Sequence, residues 1–585
     1  MRQQRDDTLV FARDPDVFPE AGLALAVRLL AERWNWCAVV DTLLPWDTAR
    51  TQTPPSMLVL TLVMNVLAQR TPLYHVERWA ETLPLDLLWT PGVTAPVFND
   101  DALGRVLEKL AVHGRTLVGT LGVRVRATED AASGVLHTDT TSFSWFGDYA
   151  GSTPDGPSPH ITYGYSKAHR PDLKQILMGL TTDADGQVLL GDVLAGNTSD
   201  KAWMPPWLAT LDRDVPEDAW KQALYVTDSA GVTPAALDQC AALGVHWLGR
   251  LPETYTLART VKTAAWAAPE SAWEDLGTFS PKKGAARYRV QIHPGTLASY
   301  PVRCVVVHSD ALDRRREQTL QREIAQEGTA LQAAAAALAR QAFACVADAE
   351  AAHGVALKAV APRWHRVTPT IVPETVVQRR PGRPRKGVPP DTTPVYRLQW
   401  TWRDPDPTAV HAERQRRSTF VLVTDDPDRS ARELVAAYKG QDQAEHAFRW
   451  AKAPWHCDAF YLQNPQRVAG LGFLLLLALQ FVRGMRRLVR AALRDQPPLA
   501  LPDGRKIPAP SDEVILEGLR TLWLQRCGTA GRPWYQWSRV APHTQRLLEA
   551  LDLPLYVRFE PSGSIRAPSK TPGNLLSDMR KVSLE

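Results

Sequence analysis

Residues 173–194 read LKQILMGLTTDADGQVLLGDVL. Two apolar runs flank Asp185-Gly186, a dipeptide suited to a tight turn, so the stretch reads as an antiparallel hairpin. Upstream, VLHTDTTSF (135–143) reads as a strand that becomes polar at its end. Downstream, a helix-like segment follows Asn197-Thr198-Ser199-Asp200, and the strand ALYVTD (223–228) comes next. A helix, TPAALDQCAALG (233–244), then leads to the strand VHWLGRL (245–251). The order β-β-β-α-β-α-β predicts a mixed α/β sheet whose hairpin strands come first.

Before this sheet, residues 1–130 read as helical. Pro54-Pro55-Ser56 precedes MLVLTLVMNVLAQR, Thr71-Pro72 opens LYHVERWAETL, and Asn99-Asp100 caps ALGRVLEKLAVHG. Such a head suits DNA binding or, equally, helix packing and dimerisation. After the sheet, residues 253–415 break the rhythm. They hold strand-like pieces, ARYRVQIHP and YPVRCVVVH, and a charged helix expected from about Asp310 to His353. Ile324, Leu331, Leu338 and Cys345 recur every seven residues along it, as a packed seam would. STFVLVTD (418–425) resumes the sheet, and one long helix is expected from Ser430 through Lys452. The end, from about Pro497, reads as mixed helix and loop with a polar, mobile tail.

The chain has 585 residues, 44% hydrophobic and 22% charged, with 68 basic against 63 acidic side chains. That composition excludes a disordered, collagen-like or small disulfide-built chain. A formal charge of +5 means that a polyanion would be met by local patches. Cys37, Cys240, Cys304, Cys345, Cys457 and Cys527 form no CxxC pair, which fits a reducing compartment better than a zinc ribbon. The run GLGFLLLLALQFV (470–482) falls short of the roughly 20 residues that span a bilayer, so it reads as a buried core helix. The expectation is a soluble cytoplasmic protein with no membrane partner.

Three acidic residues stand at informative places. Asp139 ends the first apolar strand, Asp228 closes ALYVTD, and Glu445 lies in the helix after STFVLVTD. Functional groups gather at strand ends in open α/β sheets, and adjacent parallel strands would bring the two aspartates together. Clustered carboxylates repel unless cations neutralise them, and oxygen-only ligands suit magnesium. Two such ions about 4 Å apart serve phosphoryl transfer. Each residue also has an ordinary reading: a turn or cap for the aspartates, a solvated helix face for Glu445. An aspartate pair could equally serve a phosphatase or a glycosidase. His137 fits a locally satisfied strand residue better than a magnesium ligand.

On a continuous helix, Tyr438, Gln441, Glu445 and Lys452 would fall within a sector of about 60°. Arg449, His446 and Trp450 would lie on other faces. The segment YKGQDQAEHAFRWAK (438–452) resembles the Y-(2)-R-(3)-E-(6)-K signature of bacterial DDE transposases of the insertion-sequence-four group, the Tn-five-like enzymes. LHTDTTSF and LYVTDSAG resemble the group's first and second aspartate motifs, and GYSKAHRPDLKQILMGL followed by GNTSD is also similar to its members. The resemblance runs from about Leu136 to Val482.

It implies an RNase H-like catalytic core, a mixed sheet flanked by helices, in two parts at 131–252 and 416–496. A β-rich and long-helix insertion, 253–415, would separate them. The helical domain 1–130 would bind DNA ends, and 497–585 would form a C-terminal region suited to dimerisation. By the same resemblance, Asp139, Asp228 and Glu445 would hold two Mg2+ ions, with Mn2+ able to substitute. Tyr438 and Lys452 would contact DNA phosphates, with Gln441 and Arg449 counted among the DNA-binding residues. Gln441 departs from the family's arginine and supplies no charge.

Implied too are cut-and-paste transposition, double-stranded DNA as partner (terminal inverted repeats and target), a homodimer in the synaptic complex, and a nucleoid-associated bacterial setting. A stand-alone RNase H-like nuclease and an inactive, transposase-derived DNA-binding protein are the alternatives. Outside the core, Arg379-Arg380-Pro381-Gly382-Arg383-Pro384-Arg385-Lys386 looks like an AT-hook, with Arg380, Arg383, Arg385 and Lys386 for the minor groove. It reads alternatively as a solvated basic linker. Arg483, Arg487, Arg490 and Arg494 share a helical face that would either track DNA or be solvated.

Overall fold

Helical periodicity gathers residues 21–128 around α1 (Ala21–Arg33), α2 (Trp36–Leu43), α3 (Pro55–Leu67) and α4 (Asp100–Thr128). This is seen in a computed structural model that describes residues 17–19, 21–49, 51–68, 70–129, 134–156, 158–167, 170–280, 282–377, 391–452, 462–529, 532–538, 540–554, 556–559 and 565–566. Pro55 occupies the first turn of α3, where its missing N–H costs nothing. The Asn99 side chain caps α4 by accepting the Ala102 N–H at 2.9 Å. All thirteen residues of α3 are buried, as expected of a helix that is apolar all round. LYHVERWAETL does not form one helix. It makes a 3-10 turn, Leu73–His75, and the five-residue helix Val76–Ala80, after which i→i+3 bonds at Thr82 and Leu83 close the chain toward Pro84.

The sheet then follows the expected order: β1 (Val135–Trp145), β2 (Lys174–Asp183), β3 (Val188–Ala195), α5 (Asp200–Asp214), β4 (Leu224–Thr227), α6 (Pro234–Leu243) and β5 (Trp247–Arg250). Spatially the strands run β3-β2-β1-β4-β5. The two hairpin strands are antiparallel, whereas β1, β4 and β5 are parallel. Gly186, at φ 80°, makes the hairpin turn, and the Asp183 carboxylate accepts the N–H groups of Asp185 and Gln187 at 3.0 Å each. Successive strand residues face opposite sides, and this fixes the layers. Gly179 leaves room for the Trp203 indole of α5, so one face carries α5.

The chain divides into two units, Met1–Gly249 with Ala437–Glu585, and Arg250–Ala436. The second contains α7 (Thr256–Ala267), β6 (Glu274–Thr278), β7 (Arg287–Leu297), β8 (Tyr300–Ser309), α8 (Asp310–Ala339), α9 (Val346–Val360), β9 (Arg366–Val377), β10 (Thr392–Arg403), α10 (Pro407–Ser418) and β11 (Thr419–Thr424), and most of α11 (Ala431–Lys439). β6, β7, β8 and β11 form an antiparallel array, and β9 pairs with β10 as a separate hairpin. The expected helix from Asp310 to His353 is two helices. Phe343 exchanges backbone hydrogen bonds with Tyr396 and pulls the chain out of helical geometry, and Cys345 then caps α9. The heptad seam therefore holds at Leu331 and Leu338, which are buried with Leu398 and Trp400, while Cys345 is exposed.

The first unit resumes with α12 (Asp442–Ala451), α13 (Pro465–Ala492), α14 (Asp512–Arg520), the hairpin β12 (Trp523–Thr529) and β13 (Arg532–Ser538), and α15 (Pro542–Ala550). The expected helix from Ser430 to Lys452 is broken at Gly440-Gln441. The apolar run 470–482 is the buried middle of α13, a helix of 28 residues. By length and composition it could cross a membrane, yet its apolar window is wholly buried in the protein. Each leucine buried there contributes about 2 kcal/mol. Gly114 seats the Phe473 ring and Gly470 meets the Leu107 carbonyl, so α4 and α13 pack closely. Gly191 of β3 receives Leu476, which places α13 on the sheet face opposite α5.

The arginine face of α13 does not track DNA. Arg483 is fully buried and pairs with Asp512 at 3.0 Å, Arg487 pairs with Asp183 and with Asp185 at 3.2 Å, and Arg490 donates to the Pro510 carbonyl at 3.0 Å. These cations tie α13 to the β2–β3 turn and to α14. Arg494 alone of the four is exposed.

Candidate active site

The parallel ladder between β1 and β4 pairs Leu136 with Tyr225 and His137 with Val226. Carrying that register on by two residues sets Asp139 beside Asp228, just where β4 ends, and adjacent strands lie about 4.8 Å apart. Asp139 therefore does not end its strand. It sits within the eleven residues of β1, at the point where the parallel partner has stopped. Asp228 begins the turn after β4, and its Oδ1 accepts the N–H groups of Ala230 at 2.9 Å and Gly231 at 3.3 Å.

Two residues that sequence reading passed over complete this corner. Lys167, in the loop before β2, places Nζ 3.9 Å from Asp139 Oδ1 and 3.0 Å from Asp200 Oδ2. Asp200 opens α5 and accepts the Thr140 hydroxyl proton. Lys167 also donates to the Thr140 carbonyl at 2.8 Å and to its hydroxyl oxygen at 2.9 Å. Both residues lie inside GYSKAHRPDLKQILMGL and GNTSD, so motif similarity was the available signal. Burial pushes the Asp139 carboxyl up to about 7; Lys167 and the Thr140 N–H pull it down, and Asp228 and Asp200 add to the rise. The Asp139 side chain keeps 19% of its surface exposed, so the group remains reachable.

The face that Asp139 occupies can be read from its neighbours. A Cβ added at Gly440 would come within 2.8 Å of His137 Nε2, and Lys452 Nζ lies 5.9 Å from the Phe143 ring centroid. His137, Asp139 and Phe143 alternate onto one face, so α12 runs beside β1 on the side of Asp139. Glu445 is five residues past Gly440, a helical rise of about 7.5 Å, and Asp139 is two residues past His137, about 6.6 Å of strand. Glu445 is thus level with Asp139 along the strand.

Ala444, Ala447, Phe448 and Ala451 bury α12, whereas Glu445, His446 and Arg449 are exposed. Gln441, Glu445 and Lys452 keep one flank of α12, within about 40°. Tyr438 belongs to α11 and leaves that stripe. His137 is buried with neither ring nitrogen hydrogen-bonded among the described residues, so the expected local partner is not seen there, and burial lowers its pKa to about 4. A neutral imidazole against Gly440 acts as packing at the helix break.

Among the described residues, no three His, Cys, Asp or Glu side chains are gathered into a ready-made metal cage. The donor chemistry nevertheless fits a hard cation: two aspartates at a ladder end, a buried carboxyl short of positive charge, and a glutamate alongside. Arg380, Arg383, Arg385 and Lys386 lie outside the described residues.

Residues 134–481 match the family model described as a transposase DDE domain. Residues 26–120 match one described as a domain of unknown function (DUF4277). Among solved structures, the chain is similar to the piggyBac transposase synaptic complex with hairpin DNA, at 8% identity and a TM-score of 0.35, covering 86% of this chain and 79% of that one. No curated protein matches it.

Proposed function

The chain belongs to the transposase DDE-domain family, and from that premise we propose that it is a metal-dependent, cut-and-paste DNA transposase. Its site would be Asp139, Asp228 and Glu445 on an RNase H-like core. The observation that carries this reading is the placement of α12. It lies on the face of β1 that carries Asp139, with Glu445 level with that aspartate, and Asp228 is in register beside it. The order β-β-β-α-β-α-β, with β1, β4 and β5 parallel, supports the core assignment.

The three carboxylates would hold the divalent cations, Mg2+ or Mn2+. Bound there, such cations supply activation of the attacking oxygen and stabilisation of the leaving oxygen at a phosphodiester. The chain's own groups do the rest. Asp139, whose carboxyl burial pushes up to about 7, would have to give up its proton to hold a cation. Lys452 and Tyr438 would contact backbone phosphates of the DNA end, in keeping with an insertion-sequence-four signature. Gln441, where that signature has arginine, would donate only neutral hydrogen bonds. The head, 1–130, would grip the terminal repeats, and two copies would meet in the synaptic complex.

The test is a denaturing-gel assay with the terminal repeats that flank the gene and Mg2+ or Mn2+. Wild-type protein should cut at the repeat boundary. Glu445→Gln should bind the end and leave it whole; retained cutting would remove Glu445 from the site.

A further inference from the structure

Among the described residues, the cation paired with Asp139 is the chain's own Lys167. Lys167 makes three contacts of 3.0 Å or less, to Asp200 and to the carbonyl and hydroxyl of Thr140, and a longer one of 3.9 Å to Asp139. It is therefore anchored on Asp200 and Thr140 and acts on Asp139 mainly through space. The anchor is firm, because Asp200 is fixed at the start of α5 behind the Ser199 cap and takes the Thr140 hydroxyl proton. Asp139 and Asp200 both lie within 4 Å of the ammonium, and Asp228 stands in register beside Asp139, so one lysine faces more carboxylates than it can neutralise.

We infer that Lys167 is a resident counter-ion of this site, a positioning residue that steadies Asp139 between neighbouring aspartates and competes with the divalent cation for it. The inference rests on the reading that Asp139 is a metal ligand. An ammonium near a bound dication repels it, and the repulsion is strong in a half-buried setting. Divalent binding then becomes partly an exchange, in which Lys167 withdraws onto Asp200. Asp200 sets the balance: with it in place, the lysine has somewhere to go.

Calorimetric titration of the full chain with Mn2+, without DNA, reads this directly. Lys167→Met should bind Mn2+ on the order of tenfold more tightly, and Lys167→Arg should stay close to wild type. Asp200→Asn should bind more weakly, because the freed lysine turns to Asp139, and adding Lys167→Met should restore affinity to wild type or better. Equal or weaker binding by Lys167→Met overturns the inference, as does a double variant that stays weak, which would make Asp200 a ligand. Asp139→Asn in the same series separates the two readings. Lost binding keeps Asp139 as a ligand whatever Lys167 does, whereas retained binding removes that assignment and this inference with it. A wild-type melting temperature for Lys167→Arg guards against misfolding.

Discussion

The sheet of the first unit buries charge in two clusters beside β2, one at Asp183 and one three residues back along the strand, where Leu180 pairs with Asp139, and the two are opposites. At the β2–β3 turn, Asp183 is wholly buried and fully matched. Arg487 pairs with it, Arg126 stands 4.0 Å away, and two backbone N–H groups fill its other oxygen. In the other cluster, Asp139 and Asp200 share the ammonium of Lys167, and Asp228 adds its negative charge beside Asp139. The matched cluster needs nothing from outside and holds α13 to the sheet. The deficient cluster pushes the Asp139 carboxyl up to about 7 and, on the proposed reading, would take a cation. Burial of charge alone therefore does not mark a site; the unmet remainder does.

The sharpest way to break this contrast is to remove one aspartate from each cluster. Asp183→Asn takes the buried carboxylate from Arg126 and from Arg487, which keeps the exposed Asp185, and should cost about 3–5 kcal/mol in urea unfolding, with Mn2+ affinity unchanged. Asp139→Asn should do the reverse, losing Mn2+ binding while the metal-free fold holds or gains stability. Equal losses of stability in the two clusters would erase the distinction.

A smaller effect lies in the pH dependence of the metal-free protein. The folded pKa of Asp139 is about 7 against an ordinary 3.8, so the folded state holds its proton longer than the unfolded one. Its contribution to stability is fully present below about pH 4 and is lost as pH rises through 7. His137, lowered to about 4 by burial, works the other way: its contribution is present above about pH 6.5 and is lost as pH falls through 4. Asp139→Asn should therefore gain stability relative to wild type as pH rises from about 4 to 7. A variant whose pH profile parallels that of wild type would remove Asp139 from the account.

Much of this was legible in the sequence where the physics is local. Alternating strands, the Asp185-Gly186 turn and the capping residues gave the order of the sheet, and parallel neighbours gave the Asp139–Asp228 pairing. What was not legible depended on distant partners. Arg483 and Arg487 show helical spacing whether they meet solvent or Asp512 and Asp183, so periodicity could not tell a DNA-facing row from a buried one. Nothing around Arg340 forbids helix; the break comes from Phe343 pairing with Tyr396. Gly440 did carry a signal, since glycine weakens a helix, and its close approach to His137 shows why the interruption falls there. Lys167 and Asp200 reach the site from a loop and a helix start, a convergence that only the fold creates.

The central claim is that the cation-deficient end of the sheet and the flank of α12 form one metal site. Replacing Mg2+ by Fe2+ and adding peroxide to the intact protein cuts the backbone beside the bound metal, and mass spectrometry locates the cuts. The account predicts cuts in β1 near Asp139, after β4 near Asp228 and in α12 near Glu445, all suppressed by excess Mg2+. Cuts confined to the aspartates, or lying near Asp183, would contradict it.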